Sequence, residues 1–328
     1  MKKAQYTERG AVPQASIECV DFADPVLAEG QVLLQVLAAP INPSDVLTLT
    51  GQYGTLPPLP AIGGNEGVGK VVAHGPGVSA PAIGQTVLLP VGSGTWATHV
   101  VAKAGKLMPL PNDADPLQLA MMTVNPPTAS LMLSEFVPLQ PGEWAMQNAA
   151  NSGVGEYLVQ LARLRGLKTV NVVRRESAAA AVRAAGGDVV LVDGPDLDKR
   201  VSEATGQAQI RLAIDAIGGQ ATNRLAGCLA EGGTLVNYGL MSGEDCVVSP
   251  RSFVFRDVTL RGFWLALWFR RATPQQQMAM FGEIGKLVAT GRLKTRIHAT
   301  YDVTQIKQAV AAAAAGEREG KILVVPKG

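Results

Sequence analysis

The stretch WAMQNAANSGVGEYLVQLARLRGLKTVNVVRRE, from Trp144 to Glu176, constrains the fold more than any other part of the chain. WAMQNAA is a short apolar run that reads as a strand. A turn with Gly153 and Gly155 follows, and GEYLVQLARLRG then places apolar residues at helical spacing. KTVNVV is a second β-branched run, ending on Arg174 and Arg175. Strand, glycine turn, helix and strand make one βαβ unit, and such units assemble into parallel sheets covered by helices. The turn opens onto a helix N-terminus, whose free N–H groups suit an anion such as a diphosphate.

The usual dinucleotide fingerprint has three spaced glycines and, about 20 positions on, an acidic residue that bonds a ribose 2′-hydroxyl. Here Asn151 and Ser152 stand in for other small residues and can cap the helix, and Gly153, Val154 and Gly155 complete the turn. Arginine stands where the acid would be. Small residues at a βα turn and charges at a strand end both occur without any ligand. Turn, spacing and charge together favour NADP(H), because Arg174 and Arg175 can accommodate a 2′-phosphate.

Residues 1–124 have a different texture. Short alternating or β-branched runs (GQVLLQVLAA, GVGKVVAHG, GQTVLLPV, ATHVVAK) are broken at close intervals by Pro, Gly and Asn-Pro, which predicts a β-rich barrel or sandwich-like module. Past residue 125 strands alternate with helices: SAAAAVRAAGG reads as a helix, and DVVLVD, IRLAIDAIGG, GTLVNYGL and VTLRGFWL as strands. Two more helices (TPQQQMAMFGEIGKLVATG and VTQIKQAVAAAAAG) and a last strand, KILVVP, close the chain. The expected organisation is α/β: a doubly wound parallel-sheet domain over 125–268, inserted into a discontinuous β-rich domain of 1–124 and 269–328.

With 47% hydrophobic and 17% charged residues and a net charge of +2, the chain reads as globular with a sizeable core. Its basic residues are scattered, so no nucleic-acid or lipid-headgroup patch is expected. Cys19, Cys228 and Cys246 lie far apart with no CxxC pair, the usage of a reducing compartment. No apolar run approaches the roughly 18 residues of a membrane span, and MKKAQYTERG lacks the apolar stretch of a secretory signal. The expected location is the cytoplasm.

Several motifs in order carry a resemblance that runs almost end to end. NPSDVLTLTGQYGTLPPLPAIGGNEGVG, SGTWATH, TVNPPTASLML, QNAANSGVG, NVVRRE and RGFWLALW resemble the medium-chain dehydrogenase/reductases, and within them the enoyl thioester reductases of the mitochondrial type. The resemblance implies a GroES-like domain around a Rossmann domain, NADP(H) as cofactor, an acyl thioester of CoA or acyl-carrier protein as substrate, and a homodimer with paired nucleotide-domain sheets. It also implies a metal-free site. Zinc alcohol dehydrogenases have Cys near the NPSD position and Gly-His-Glu where this chain reads Gly64-Asn65-Glu66, whereas Pro43, Ser44 and Asn65 offer neither thiolate nor imidazole.

By the same resemblance, Tyr53 of TGQYG is the residue that handles the proton at the thioester. Asn125 lies by the nicotinamide, Asn151 to Gly155 form the diphosphate turn, and Arg174 with Arg175 meets the 2′-phosphate. Tyr238 and Met241 end a strand facing the cofactor, Phe263 and Trp264 lie near the nicotinamide and acyl cavity, and Lys321 returns from the last strand toward the cofactor. Leu240 replaces a glycine often found there.

Other readings stay open on the residues alone. Tyr53 could simply pack its loop, and the aromatics near Trp264 could be core or subunit interface. His74, His99 and His298 have no partner at metal or triad spacing, and Glu66 reads as architectural because no second carboxylate is placed to pair with it. Arg251, Arg256, Arg270 and Arg271 could rim a carrier-protein site or be ordinary surface charges. A quinone or enone reductase of the same fold is the second functional reading, and a non-catalytic NADPH-binding protein the third.

Overall fold

The computed structural model describes residues 1–316 and 318–327. Two compact units result, one of residues 1–124 with 281–328, the other of residues 125–280. The return to the first unit falls at 281 rather than 269, because the segment after RGFWL is helical and clusters with the inserted unit. Glu317 and Gly328, both within the expected C-terminal return, lie outside the described residues.

In the first unit the chain forms β1 (Lys2–Tyr6), β2 (Ile17–Asp21), β3 (Gln31–Ile41), α1 (Pro43–Leu49), β4 (Ala61–Ile62), β5 (Val68–His74), β6 (Thr86–Leu88), β7 (His99–Lys103), β8 (Met108–Pro109) and α2 (Pro116–Leu119). β3 is its spine. Alternation along QVLLQV buries Val32, Leu34 and Val36 on one face, and the strand pairs with both β5 and β7. Asn-Pro then ends the strand and starts a helix: Pro43 occupies the first turn, and Asn42 and Asp45 form a capping box. β1 sits between β2 and β4 in a separate three-stranded sheet.

The inserted unit runs α3 (Asn125–Met132), β9 (Trp144–Gln147), α4 (Gly153–Leu164), β10 (Lys168–Val173), α5 (Ala179–Ala184), β11 (Val189–Val192), α6 (Leu197–Thr205), β12 (Leu212–Asp215), α7 (Gly219–Cys228), β13 (Thr234–Asn237), α8 (Pro250–Arg256), β14 (Thr259–Gly262) and α9 (Leu265–Arg271). Its six strands are all parallel, in the order β11-β10-β9-β12-β13-β14. The order reverses at β9, so the crevice beyond the carboxyl ends of β9, β10 and β12 is where a doubly wound sheet takes a ligand. Met146, Val170, Val172, Ala213 and Leu235 fill the core around these strands.

α10 (Pro274–Ala289) leads out of the inserted unit, and β15 (Ile297–Tyr301), α11 (Ile306–Ala314) and β16 (Lys321–Val324) complete the first. β16 pairs antiparallel with β3, so the chain's last strand joins its N-terminal sheet. Among the described residues no helix is long and apolar enough to cross a membrane.

Candidate functional site

In the inserted unit the glycine turn is a tight construction. Ala149 takes a left-handed backbone (φ 46°), and Ala150 donates its N–H to the Val172 carbonyl at 3.2 Å, two residues before Arg174. Ser152 caps α4 by accepting the Gly155 N–H at 3.1 Å. A Cβ on Gly155 would lie 2.5 Å from the Ala150 carbonyl oxygen, so only glycine lets the helix seat this closely on the strand end. Arg174, exposed, and Arg175, half-buried, follow directly on β10. These groups suit a dinucleotide whose ribose bears a 2′-phosphate: N–H donors at a helix start, no side chain in the way, and two guanidinium groups beside them.

Tyr238 follows β13. Its N–H bonds the Asp215 carbonyl at 2.9 Å and its phenol pairs with the Ser152 hydroxyl, so this residue braces the glycine turn. Burial pushes the phenol above the ordinary tyrosine range. Met241 lies past the strand, in a turn where its N–H bonds Ala216 and its side chain is exposed, which corrects the expectation that it ends a strand. Asn125 opens α3 and is buried.

Phe263 and Trp264 also correct the strand reading. β14 stops at Gly262, and Trp264 is the N-cap of α9. Phe263 donates its N–H to Asn237 at 2.8 Å and packs edge-on against Phe136, with centroids 6.1 Å apart, while Arg270 lies 5.1 Å over the Trp264 ring. Of the four arginines considered for a carrier rim, Arg256 is committed to the end of α7, donating to the carbonyls of Ala226, Gly227 and Leu229.

Sequence reasoning missed Asp215. It ends β12 wholly buried, with Oδ1 accepting from Asn148 Nδ2 at 2.6 Å and from the N–H groups of Ile217 and Gly218. Its Oδ2 accepts from Thr222 Oγ1 at 2.6 Å and Asn237 Nδ2 at 3.0 Å. One carboxylate thereby ties together the carboxyl ends of β9, β12 and β13. The signal was present as three polar residues at strand ends (QN, ID, VN), but polar residues end most strands.

In the first unit Tyr53 is half-buried on the loop after α1, a helix closed by the Gln52 N–H bonding Leu47 O at 2.8 Å. The same unit holds a buried polar cluster. Glu66 is fully enclosed: Oε1 accepts from Asn42 Nδ2 at 2.7 Å, and Oε2 from Thr123 Oγ1 at 2.8 Å and the N–H groups of Thr123 and Val124. Glu66 is architectural, as read, but the reason given for it fails. A second carboxylate, Asp45, is close enough to interact with it, and accepts from Asn42 N–H and Asn65 Nδ2, each at 2.7 Å. Lys321 joins this cluster, its ammonium donating to Asn42 Oδ1 and Ile41 O. Burial raises Asp45 to about 7, raises Glu66 and lowers Lys321 to about 8.

A parallel sheet with a phosphate-ready turn at its switch point, inserted into a β-rich unit, defines a nicotinamide-dependent oxidoreductase. Comparison with known proteins agrees. Residues 28–112 match the alcohol dehydrogenase GroES-like domain, and residues 153–282 match the zinc-binding dehydrogenase domain. The mitochondrial enoyl-[acyl-carrier-protein] reductase of Arabidopsis thaliana is 37% identical over 299 residues, 89% of this chain and 80% of that protein. Etr1p in complex with NADP and crotonyl-CoA superposes with a TM-score of 0.87 at 26% identity over 99% of both chains. A Bacillus thuringiensis protein described as an NADPH:quinone reductase superposes at 0.89 with 30% identity, again over 99% of both. The chain belongs to the medium-chain dehydrogenase/reductase family.

The zinc of that domain's name does not fit the residues present. Asn65 is an amide whose nitrogen is donated to Asp45, and Glu66 is saturated by donors. Among the described residues, no three His, Cys, Asp or Glu side chains are grouped to hold a metal ion.

Proposed function

We propose that this chain reduces the 2,3 double bond of a trans-2-enoyl thioester, borne by CoA or an acyl-carrier protein, with NADPH. Likeness to enoyl-[acyl-carrier-protein] reductases over 89% of this chain carries the reading, and the arginine-flanked glycine turn supports the choice of cofactor. The turn of Asn151, Ser152, Gly153, Val154 and Gly155 holds the diphosphate at the start of α4, Gly155 by leaving room for it since its own N–H already bonds Ser152 Oγ, and Arg174 with Arg175 holds the 2′-phosphate. Asn125, Tyr238, Met241, Phe263 and Trp264 flank the nicotinamide side.

NADPH, when bound, supplies the hydride for the β-carbon. As that carbon is reduced, negative charge grows on the thioester oxygen and a proton must reach the α-carbon. The Tyr53 phenol meets both needs: its O–H donates a hydrogen bond to the oxyanion, and it can deliver the proton to the α-carbon and regain one from water. Neither step calls for a metal, which suits a site whose polar groups already satisfy one another.

The reading places the enzyme in fatty acid metabolism in the cytoplasm, a location that suits its three free cysteines. It also makes the protein a homodimer joined along β14, the sheet's edge strand, beside an α8 that exposes 77% of Phe255 and 71% of Val254. A second reading, quinone or enone reduction, is favoured by the likeness to the Bacillus thuringiensis protein. The test is consumption of NADPH, and of NADH in parallel, with crotonyl-CoA, with butyryl-CoA identified as product. Turnover of quinones alone would select the second reading.

A further inference from the structure

We infer that Arg9 is a positioning residue that holds the loop bearing Tyr53 in its working conformation, an inference that rests on the role given to Tyr53 above. The loop needs an external hold. Residues 51–60 read GQYGTLPPLP, are mostly exposed, and include Pro57, Pro58 and Pro60, which have no N–H to donate. Among the described residues, no backbone–backbone hydrogen bond is made by residues 54–60. The segment after β1 runs past both ends of this loop. Tyr6 pairs with Ala61, where the loop enters β4, and the Gly10 N–H bonds the Leu49 carbonyl, where α1 ends and the loop begins.

Arg9 lies between these two fixed points and reaches across. Its guanidinium donates to the Pro57 carbonyl, inside the stretch that lacks backbone bonds. Its stem runs beside Gly51, whose backbone is left-handed (φ +77°) and where an added Cβ would reach within 3.5 Å of Arg9 Cδ. The guanidinium also meets Tyr6, 97% buried, which offers its hydroxyl and whose ring centroid lies 5.9 Å away. What Arg9 lacks is also informative. Its Nε is buried with no hydrogen-bond partner, and no carboxylate is paired with it among the described ion pairs. A guanidinium placed at that cost does little for stability by itself, so its grip on the loop is the property that explains it.

The experiment compares wild type with Arg9→Ala, Arg9→Lys, Tyr53→Phe and the Arg9→Ala/Tyr53→Phe double variant. It reads kcat, KM for NADPH and for crotonyl-CoA, thermal midpoint, and hydrogen exchange of the amides at 51–56. Arg9→Ala is expected to lower kcat about tenfold or more, since small misplacements of a reacting group are costly. The KM for NADPH stays as in wild type, exchange at 51–56 accelerates, Arg9→Lys recovers part of the rate, and the double variant is no slower than Tyr53→Phe alone. A wild-type kcat in Arg9→Ala, or losses that multiply in the double variant, overturns the inference. If Tyr53→Phe keeps full turnover, the role of Tyr53 fails instead, and exchange at 51–56 still decides whether Arg9 holds the loop. Should Arg9→Ala not fold, Arg9→Lys, which keeps the charge but loses the planar fork, supplies the same comparison.

Discussion

Gly155 is the residue on which the nucleotide turn closes. Any side chain there meets the Ala150 backbone, which cannot move without pulling β9 and its bond to Val172. Gly155→Ala is therefore expected to cost about 2 kcal/mol in urea unfolding, the range for overpacking, and to weaken NADPH binding measured by fluorescence titration. Retention of wild-type affinity would contradict the role of the turn. The arginines make a separate claim. On the proposed role, replacing Arg174 and Arg175 with Ala would remove charge-assisted bonds to a 2′-phosphate, so kcat/KM for NADPH should fall about 100-fold and that for NADH should not. Equal losses with both cofactors would mean that the pair does not read the phosphate. Both positions were legible in the sequence, because a glycine turn after a strand and a charge at a strand end have local signatures. Lys321 was not. Its pairing with Asn42 joins residues at opposite ends of the chain through the β16–β3 ladder, and no local pattern announces that.

At the level of elements, the strands with alternating or β-branched runs were legible, and so was the helix after the glycine turn. The segments around α6, α7 and α8 were not, since LDKRVSEAT is mostly polar and PRSFVFR shows an apolar face with nothing of its own unit behind it. GFWLALW misled for a physical reason. Its apolar run is continuous, and such a run has the same texture in a strand as in a half-buried helix. The corner from β3 into α1 is the element with most at stake, because Asn42, Asp45, Glu66 and Lys321 meet there. Asp45 is raised from 3.8 to about 7, chiefly by burial, so between those values the folded protein binds a proton that the unfolded chain has released. That contribution to stability falls as pH rises through the window and levels off above it. Asp45→Asn removes the titration, so the thermal-midpoint advantage of wild type over the variant should shrink between about pH 4.5 and about pH 7. A constant difference would show that Asp45 stays ionised throughout.

For the whole molecule, the division into a β-rich unit and an inserted parallel sheet could be read from texture. Its second boundary could not, because α9 and the start of α10 resemble any amphipathic helix leaving a domain. The proposed dimer rests on the same sheet. An edge strand without a neighbour, next to exposed Phe253, Val254 and Phe255, calls for a cover. Light scattering during size exclusion should give twice the 34.3 kDa of one chain, and Val254→Asp with Phe255→Asp should return it to one. A monomeric wild type would remove the proposed dimer and leave the site chemistry standing. That chemistry is the centre of the account, and NADPH oxidation tests it most directly: crotonyl-CoA, a longer 2-enoyl-CoA and a simple quinone, each with wild type and Tyr53→Phe. The account expects strong thioester turnover that falls by about 100-fold or more in the variant, the scale of a lost general acid. Quinone turnover that ignores the change at Tyr53, with no thioester turnover, would contradict it.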